Sequence, residues 1–323
     1  MDLTNTSEAI RALAANVERV ITGKRRVVEL ATCTLFAGQH LLIEDVPGVG
    51  KTMLARAIAR SIDGTFKRVQ GTSDLMPSDV TGSSVFDQTL RAFTFVPGPV
   101  FTHVLLVDEI NRATPKTQSA LLEVMEEGSV SMDGNLHEVP RPFFVIATRN
   151  PIEHYGTFPL PEAELDRFGL SINVGYPDAD AERRIVIAQM DSHPLDDLEP
   201  VTEPDSVLAH QAAIRTVHID PAVLDYALTI VRSTRGRDDV VLGASPRASL
   251  AIVRVSQALA LLRGRDHVWP DDVKALAPTV LGHRILLSPD RPPGRSESAA
   301  VVEAVLRDTP APVLPSTAHD TGT

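Results

Sequence analysis

Leu41-Leu42-Ile43-Glu44-Asp45-Val46-Pro47-Gly48-Val49-Gly50-Lys51-Thr52 is an apolar run feeding a glycine loop that ends in Lys-Thr, and Met53 to Ser61 continues it as a helix. In such a strand, loop and helix, backbone N–H groups and the helix N-terminus surround nucleotide phosphates. The lysine reaches the β- and γ-phosphates and the hydroxyl residue holds Mg²⁺. The stretch therefore predicts a nucleoside triphosphate site with Lys51 on the phosphates and Thr52 on the metal. The strict pattern has glycine where Asp45 stands. Aspartate tolerates positive φ better than most residues and bonds its own backbone in turns, so the loop is expected to close, with Gly48 and Gly50 admitting the phosphate.

The acidic pair Asp108-Glu109 follows the continuously apolar Val104-Leu105-Leu106-Val107. A run of that kind reads as a buried parallel strand, and ligands bind at the C-terminal edge of such sheets. Asp108 is placed to hold Mg²⁺ through its water shell, and Glu109 to orient and deprotonate an attacking water. Further candidate strands are Phe66 to Gln70, Phe143 to Ala147 and Leu170 to Val174, alternating with helices. This alternation predicts a three-layer α/β domain with a parallel sheet. The strand at 143–147 runs into Thr148-Arg149-Asn150-Pro151, where the Asn150 amide can reach a γ-phosphate or the attacking water, although Asn-Pro also starts turns for backbone reasons alone.

The 323 residues suffice for two domains. After Gly175-Tyr176-Pro177-Asp178 the periodicity becomes helical only, in segments 181–190, 206–214, 221–233, 246–262 and 270–281. Val301, Val302, Val305 and Leu306 share one face of a last helix. The expected division is an α/β body over 1–177, opened by two short helices that break at Ile21-Thr22-Gly23, a helical domain over 178–314 and a disordered tail over 315–323.

Composition excludes several classes. No apolar run approaches the about 18 residues of a membrane span, and the N-terminus lacks the basic-then-apolar order of a signal peptide, so the cytoplasm is the expected compartment. Cys33 is the only cysteine, which leaves no disulfide or thiolate zinc cluster, and its apolar neighbours mark it as a core residue. The histidines form no metalloprotease pattern. A net charge of −11 with scattered Lys and Arg argues against a nucleic-acid partner.

Taken together, Lys51-Thr52, Asp108-Glu109, Asn150 and Leu165-Asp166-Arg167-Phe168, followed by helices that contain Gly243-Ala244-Ser245-Pro246-Arg247-Ala248, resemble an AAA+ ATPase. The segments Glu44 to Thr52, Asp108-Glu109-Ile110-Asn111-Arg112-Ala113 and Tyr155 to Ala163 resemble the MoxR family in particular. The resemblance covers roughly residues 10 to 312. It implies Walker A at Lys51 and Thr52, Walker B at Asp108 and Glu109, sensor 1 at Asn150, an arginine finger at Arg167 for the neighbouring subunit, and sensor 2 at Arg247 over the same subunit's γ-phosphate. The implied nucleotide-binding set is Gly23, Asp45, Pro47, Gly48, Val49, Gly50, Lys51, Thr52 and Met53, with Val20 to Gly23 resembling the adenine pocket.

Residues 74–101 resemble the family's helix-2 insert, and Val130 to Val139 reads as a hairpin turning at Asp133-Gly134-Asn135. Ser129 to Val139 carries no Lys or Arg, unlike a hairpin that grips DNA. The resemblance implies a Mg²⁺-dependent ATPase assembled as a ring, a hexamer, that acts as a chaperone on proteins carrying a von Willebrand factor A domain, with metal insertion as one outcome. The alternatives are a magnesium-chelatase-type motor subunit, a DNA-dependent motor and a nucleotide switch without turnover.

Overall fold

The computed structural model describes residues 2–89, 91–150, 156–191, 194–288 and 295–313. Two helices come first, α1 (Leu3–Glu18) and α2 (Arg25–Phe36), broken at Gly23, whose φ is +77°. Strand β1 (His40–Glu44) leads through the glycine loop into α3 (Lys51–Ser61), and β2 (Phe66–Gln70) follows. The insert then forms α4 (Pro77–Thr81) and a hairpin of β3 (Gly82–Asp87) and β4 (Ala92–Pro97). Next come β5 (Val104–Asp108), α5 (Pro115–Glu127), a second hairpin of β6 (Ser129–Met132) and β7 (Asn135–Glu138), β8 (Phe144–Arg149), the single turn α6 (Glu162–Leu165) and β9 (Phe168–Ile172). Helices α7 (Ala179–Asp191), α8 (Pro204–Ile214) and α9 (Pro221–Arg232) precede β10 (Val240–Leu242). The described chain closes with α10 (Pro246–Leu262), α11 (Pro270–Leu281), β11 (Leu286–Leu287) and α12 (Arg295–Asp308).

The central sheet has the order β2-β5-β8-β1-β9, and each pairing in it is parallel. Strand alternation sends Leu41, Ile43, Leu106 and Ile146 to one face, where they pack with α1, α2 and α3, while Leu42, Leu105, Val107, Val145 and Ala147 meet Leu121, Leu122 and Met125 of α5 on the other. The sheet is covered on both sides, which is why the inner strands β5 and β8 read as continuous apolar runs, whereas the edge strand β2 exposes Lys67, Arg68 and Gln70. The first of these clusters continues without a break into the helical region through Val207, Ile214, Val223, Ile230, Val255, Leu276, Val280 and Val302.

The helical region departs from the expected helix-only pattern by one ribbon, in which β10 pairs antiparallel with β11. Strands of three and two residues are too short to impose a period on the sequence, so turn-like composition masked them. The expected tail at 315–323 lies outside the described residues.

Arg284 ties the end of the helical region to β9. It is 4% exposed and donates to the backbone carbonyls of Asp166 (3.2 Å), Phe168 (2.6 Å), Gly169 (3.0 Å) and Val280, and through Nε to the Asp166 carboxylate at 2.9 Å. Burial pushes its pKa down to about 10 against the opposing pull of Asp166, so it stays charged at neutral pH.

Arg284→Leu strands these acceptors in a dry interior and should lower unfolding stability by about 3–5 kcal/mol, read as a fall in the urea midpoint. Arg284→Lys should recover only part of the loss, because an ammonium cannot reproduce the planar fork. A second expectation concerns Cys33, fully buried on α2, whose thiol burial pushes up to about 12. At pH 8 it should remain unmodified by a disulfide-exchange reagent in the folded chain, and titrate as one thiol once urea unfolds it.

Candidate nucleotide site

The glycine loop takes its shape from two left-handed residues, Gly48 at φ +86° and Gly50 at φ +92°, with Gly50 capping α3. A Cβ at either would meet nothing within 4 Å, so backbone conformation rather than crowding demands glycine there. Lys51 Nζ donates to the carbonyls of Asp45 (3.0 Å) and Val46 (3.2 Å). Val49 and Met53 pack partly buried against the core.

Asp45 does not occupy the positive-φ region that its place in the loop suggested. The expected turn bond is present, with Asp45 Oδ1 accepting from the Val46 amide at 2.8 Å.

The acidic pair sits at the C-terminal end of β5, beside β2 and β8. Asp108, 7% exposed, accepts from Arg68 Nε at 2.7 Å and from the Thr148 hydroxyl at 3.2 Å. The same hydroxyl accepts the Glu109 amide at 2.9 Å, so Thr148 fixes both members of the pair. Glu109 holds φ +54°, a conformation that costs a non-glycine residue about 1–3 kcal/mol and recurs at functional sites. Its carboxylate accepts from Gln70 Nε2 at 2.8 Å and from Arg112 at 3.0 Å. Gly71 is obligatory beside it, since a Cβ there would lie 2.2 Å from the Glu109 carbonyl oxygen.

Pro47, Gly48, Lys51, Thr52, Asp108, Glu109 and Asn150 line one cavity of about 150 Å³, together with Arg68, Gln70 and Thr148. Buried Asn150 stands directly after β8. Gly23 lies apart from this lining, in the α1–α2 turn, where a Cβ would come 2.7 Å from Ala181 Cβ. Sequence reasoning missed Arg68, Gln70, Gly71, Arg112 and Thr148. Gln70 lies level with Asp108 across β2 and β5, a juxtaposition that only the strand register reveals.

Arg167 and Arg247 lie elsewhere. Both pair with the Glu126 carboxylate at the end of α5, Arg167 at 2.8 Å, and Arg167 also donates to the Leu122 carbonyl at 2.5 Å. They line a separate cavity of about 290 Å³ with Arg254, Arg284, Glu126 and Asp166. None of its lining residues borders the glycine-loop cavity. Arg247 therefore departs from the expectation that it stands over its own chain's γ-phosphate. The reason lies at the start of α10, where the N-cap Ser245 donates to Asp166 at 2.6 Å and, with the Glu126 pair, holds this helix end against the Arg167 corner. Arg167 Nε is buried with no acceptor.

Thr52 and Asp108 suit a hard, oxygen-preferring cation, and the Arg68 guanidinium on the Asp108 carboxylate shows that the position favours positive charge. Among the described residues no cluster of three or more His, Cys, Asp or Glu could hold a metal by itself.

Comparison with known proteins agrees with this geometry. Residues 40–170 match the family model described as the ATPase family associated with various cellular activities (AAA), and residues 232–305 match the AAA lid domain. The chain is 46% identical to YeaC of Bacillus subtilis, a protein without an assigned function, over 92% of this chain and 93% of that protein. It is 42% identical to the chaperone MoxR1 of Mycobacterium tuberculosis, covering 92% of this chain and 80% of that one. A solved Cytophaga hutchinsonii protein, provisionally described as an ATPase, superposes with a TM-score of 0.86 at 32% identity, over 94% of this chain and 95% of its own. A parallel sheet with a glycine loop at its C-terminal edge, an acidic pair at the same edge on β5, one strand removed, a helical lid and relatives at this level of identity lead to one conclusion: the chain belongs to the MoxR family of AAA+ ATPases.

Proposed function

We propose that the chain hydrolyses ATP with Mg²⁺ in a ring of identical subunits and uses the cycle to remodel partner proteins. The observation that carries this reading is the division of the charged groups between two cavities that share no lining residue. The glycine-loop cavity has a lysine, a hydroxyl, two carboxylates and an amide. The second has the arginines that phosphoryl transfer needs for its developing charge. One chain thus offers half of a site on each of two surfaces, and a second copy set against the first completes it.

Lys51 leaves the Asp45 and Val46 carbonyls for the phosphates, and Thr52 and Asp108 are the residues that would hold the metal. Held there, Mg²⁺ would supply neutralisation of the phosphate charge. Glu109 takes a proton from the attacking water, and Gln70 and Arg112 keep its carboxylate in place until then. Asn150 orients the water or the γ-phosphate. Arg167 and Arg247 exchange Glu126 for the phosphates bound by the neighbouring subunit, so both act across the interface. The glycine-loop cavity, at about 150 Å³, is smaller than the roughly 300 Å³ at which whole-ligand pockets begin, in keeping with a site that encloses only the phosphate end of a nucleotide.

Two features support a protein client. The β3–β4 hairpin exposes Phe86 (51%) and Phe93 (72%), and the β6–β7 hairpin beside it exposes Leu136 (67%). The hairpins touch through Ser84 and Asp133 and through Phe95 stacked on His137 at 4.0 Å. Apolar tips beside acidic residues suit polypeptide rather than a phosphate backbone. The chaperone name of MoxR1 supports a protein client, and maturation of von Willebrand factor A domain proteins, with or without metal insertion, which only the family resemblance of the sequence implies, is the reading to test first.

Lys51→Ala should abolish binding of a fluorescent ATP analogue while shifting the urea midpoint by no more than about 0.5 kcal/mol in stability. Glu109→Gln should still bind the analogue but release phosphate about 10²–10⁴-fold more slowly. Undiminished turnover in Glu109→Gln would remove this residue from the chemistry.

A further inference from the structure

We propose that Asp45 is a positioning residue that couples the phosphate loop to the hinge leading into the helical region. The inference rests on the ATP-site reading above and adds a route by which occupancy of that site is felt at the lid.

Glycine at this position would suffice to form the loop. Asp45 adds a carboxylate that is almost wholly buried, with the residue 4% exposed. It makes no ion pair among the described residues, and its charge is met by backbone amides instead. Oδ1 accepts from Val46 at 2.8 Å, while Oδ2 accepts from Val174 at 2.7 Å and from Gly175 at 2.6 Å. Amide bonds to a carboxylate are short and roughly twice as strong as neutral ones. Val174 and Gly175 belong to the hinge, after β9 ends at Ile172 and before α7 begins at Ala179. The other side of the hinge is held by Lys24, whose Nζ donates to the Tyr176 carbonyl at 2.6 Å.

The backbone of Asp45 faces the chemistry. Its amide donates to the Arg149 carbonyl at 3.1 Å, one residue before Asn150, and its carbonyl accepts from Lys51 Nζ at 3.0 Å. One residue therefore touches the phosphate-binding lysine, the strand that delivers Asn150 and the hinge peptide. When phosphates draw the Lys51 ammonium away, the 45–46 peptide loses the cation that held both its carbonyls. The turn relaxes, and the carboxylate on that turn carries the 174–175 amides with it. A displacement of that hinge peptide is passed directly to α7, which begins at Ala179.

The test is hydrogen exchange on the full chain with and without ATPγS and MgCl₂, following peptides over 45–52 and 172–178. In the wild type both should change on nucleotide addition. In Asp45→Gly the hinge amides, freed of their acceptor, should exchange about tenfold faster without nucleotide, and the hinge response to ATPγS should vanish. In the same variant kcat should fall more than KM rises. Asp45→Asn keeps one oxygen that can accept both hinge amides and should restore part of the protection and of kcat. A wild-type chain that protects 45–52 while 172–178 stays unresponsive would overturn the coupling and leave the ATP site standing. No protection of 45–52 would bring down the ATP site and the coupling together. A hinge that still follows nucleotide in Asp45→Gly would likewise overturn the proposal.

Discussion

The buried carboxylate of Glu44 is the constraint on which the site depends. At the C-terminal end of β1 and 4% exposed, it pairs with Arg149 at the end of β8 and accepts from the Ser171 hydroxyl on β9, while Asn173 donates to its carbonyl at 3.0 Å. An uncompensated carboxylate in that position costs several kcal/mol, so β8 and β9 must bring those groups within its reach. The register follows, with Glu44 opposite Arg149 and Ile43 opposite Thr148 and Ile172. Once it is set, Asn150 leaves β8 beside the glycine loop, and Thr148 stands where it can bond both Asp108 and Glu109.

The helical region carries its arginines on one surface and the sheet edge its phosphate loop on another. Ser245, Arg247 and Arg284 hold the lid onto Asp166, Glu126 and the β9 backbone, and the same contacts fix Arg167 and Arg247 on a surface away from the chain's own phosphate loop. In the proposed ring, rigid docking of this kind would give a neighbouring subunit a preformed pair of guanidiniums, and preorganised charge is the form of stabilisation that phosphoryl transfer uses most. Glu126 pairs with both arginines and offsets part of their positive charge.

Much of this was legible in the residues because the relevant signals are local. The inner strand β5 is buried on both faces, and Val104 to Val107 could therefore be read without knowing its neighbours; Phe66 to Gln70 and Pro246 to Leu262 agree with the structure to the residue. The glycine loop announces itself because Gly48 and Gly50 hold backbone conformations that other residues avoid. What escaped notice depends on contacts between distant segments. Arg68 and Gln70 look like ordinary polar residues of an edge strand until the β2–β5 register sets them against Asp108 and Glu109. Asp45 looked like a tolerated exception in a loop, since nothing near it in sequence hints at Val174 and Gly175, 129 and 130 residues away. Arg247 carried a recognisable motif, but which surface the motif faces is decided by Ser245, Asp166 and Glu126, from three separate elements.

The central claim is that the catalytic groups are completed by a second copy of the chain, and mixing two defective forms tests it most directly. Arg167→Ala retains Glu109, and Glu109→Gln retains Arg167. With subunit exchange verified by labelling, the mixture should release phosphate faster than the sum of the two separate variants, because some interfaces then combine an intact Glu109 with a neighbour's intact Arg167. Arg167→Ala alone turning over at the wild-type rate, or a mixture with verified exchange that gains nothing, would contradict the account.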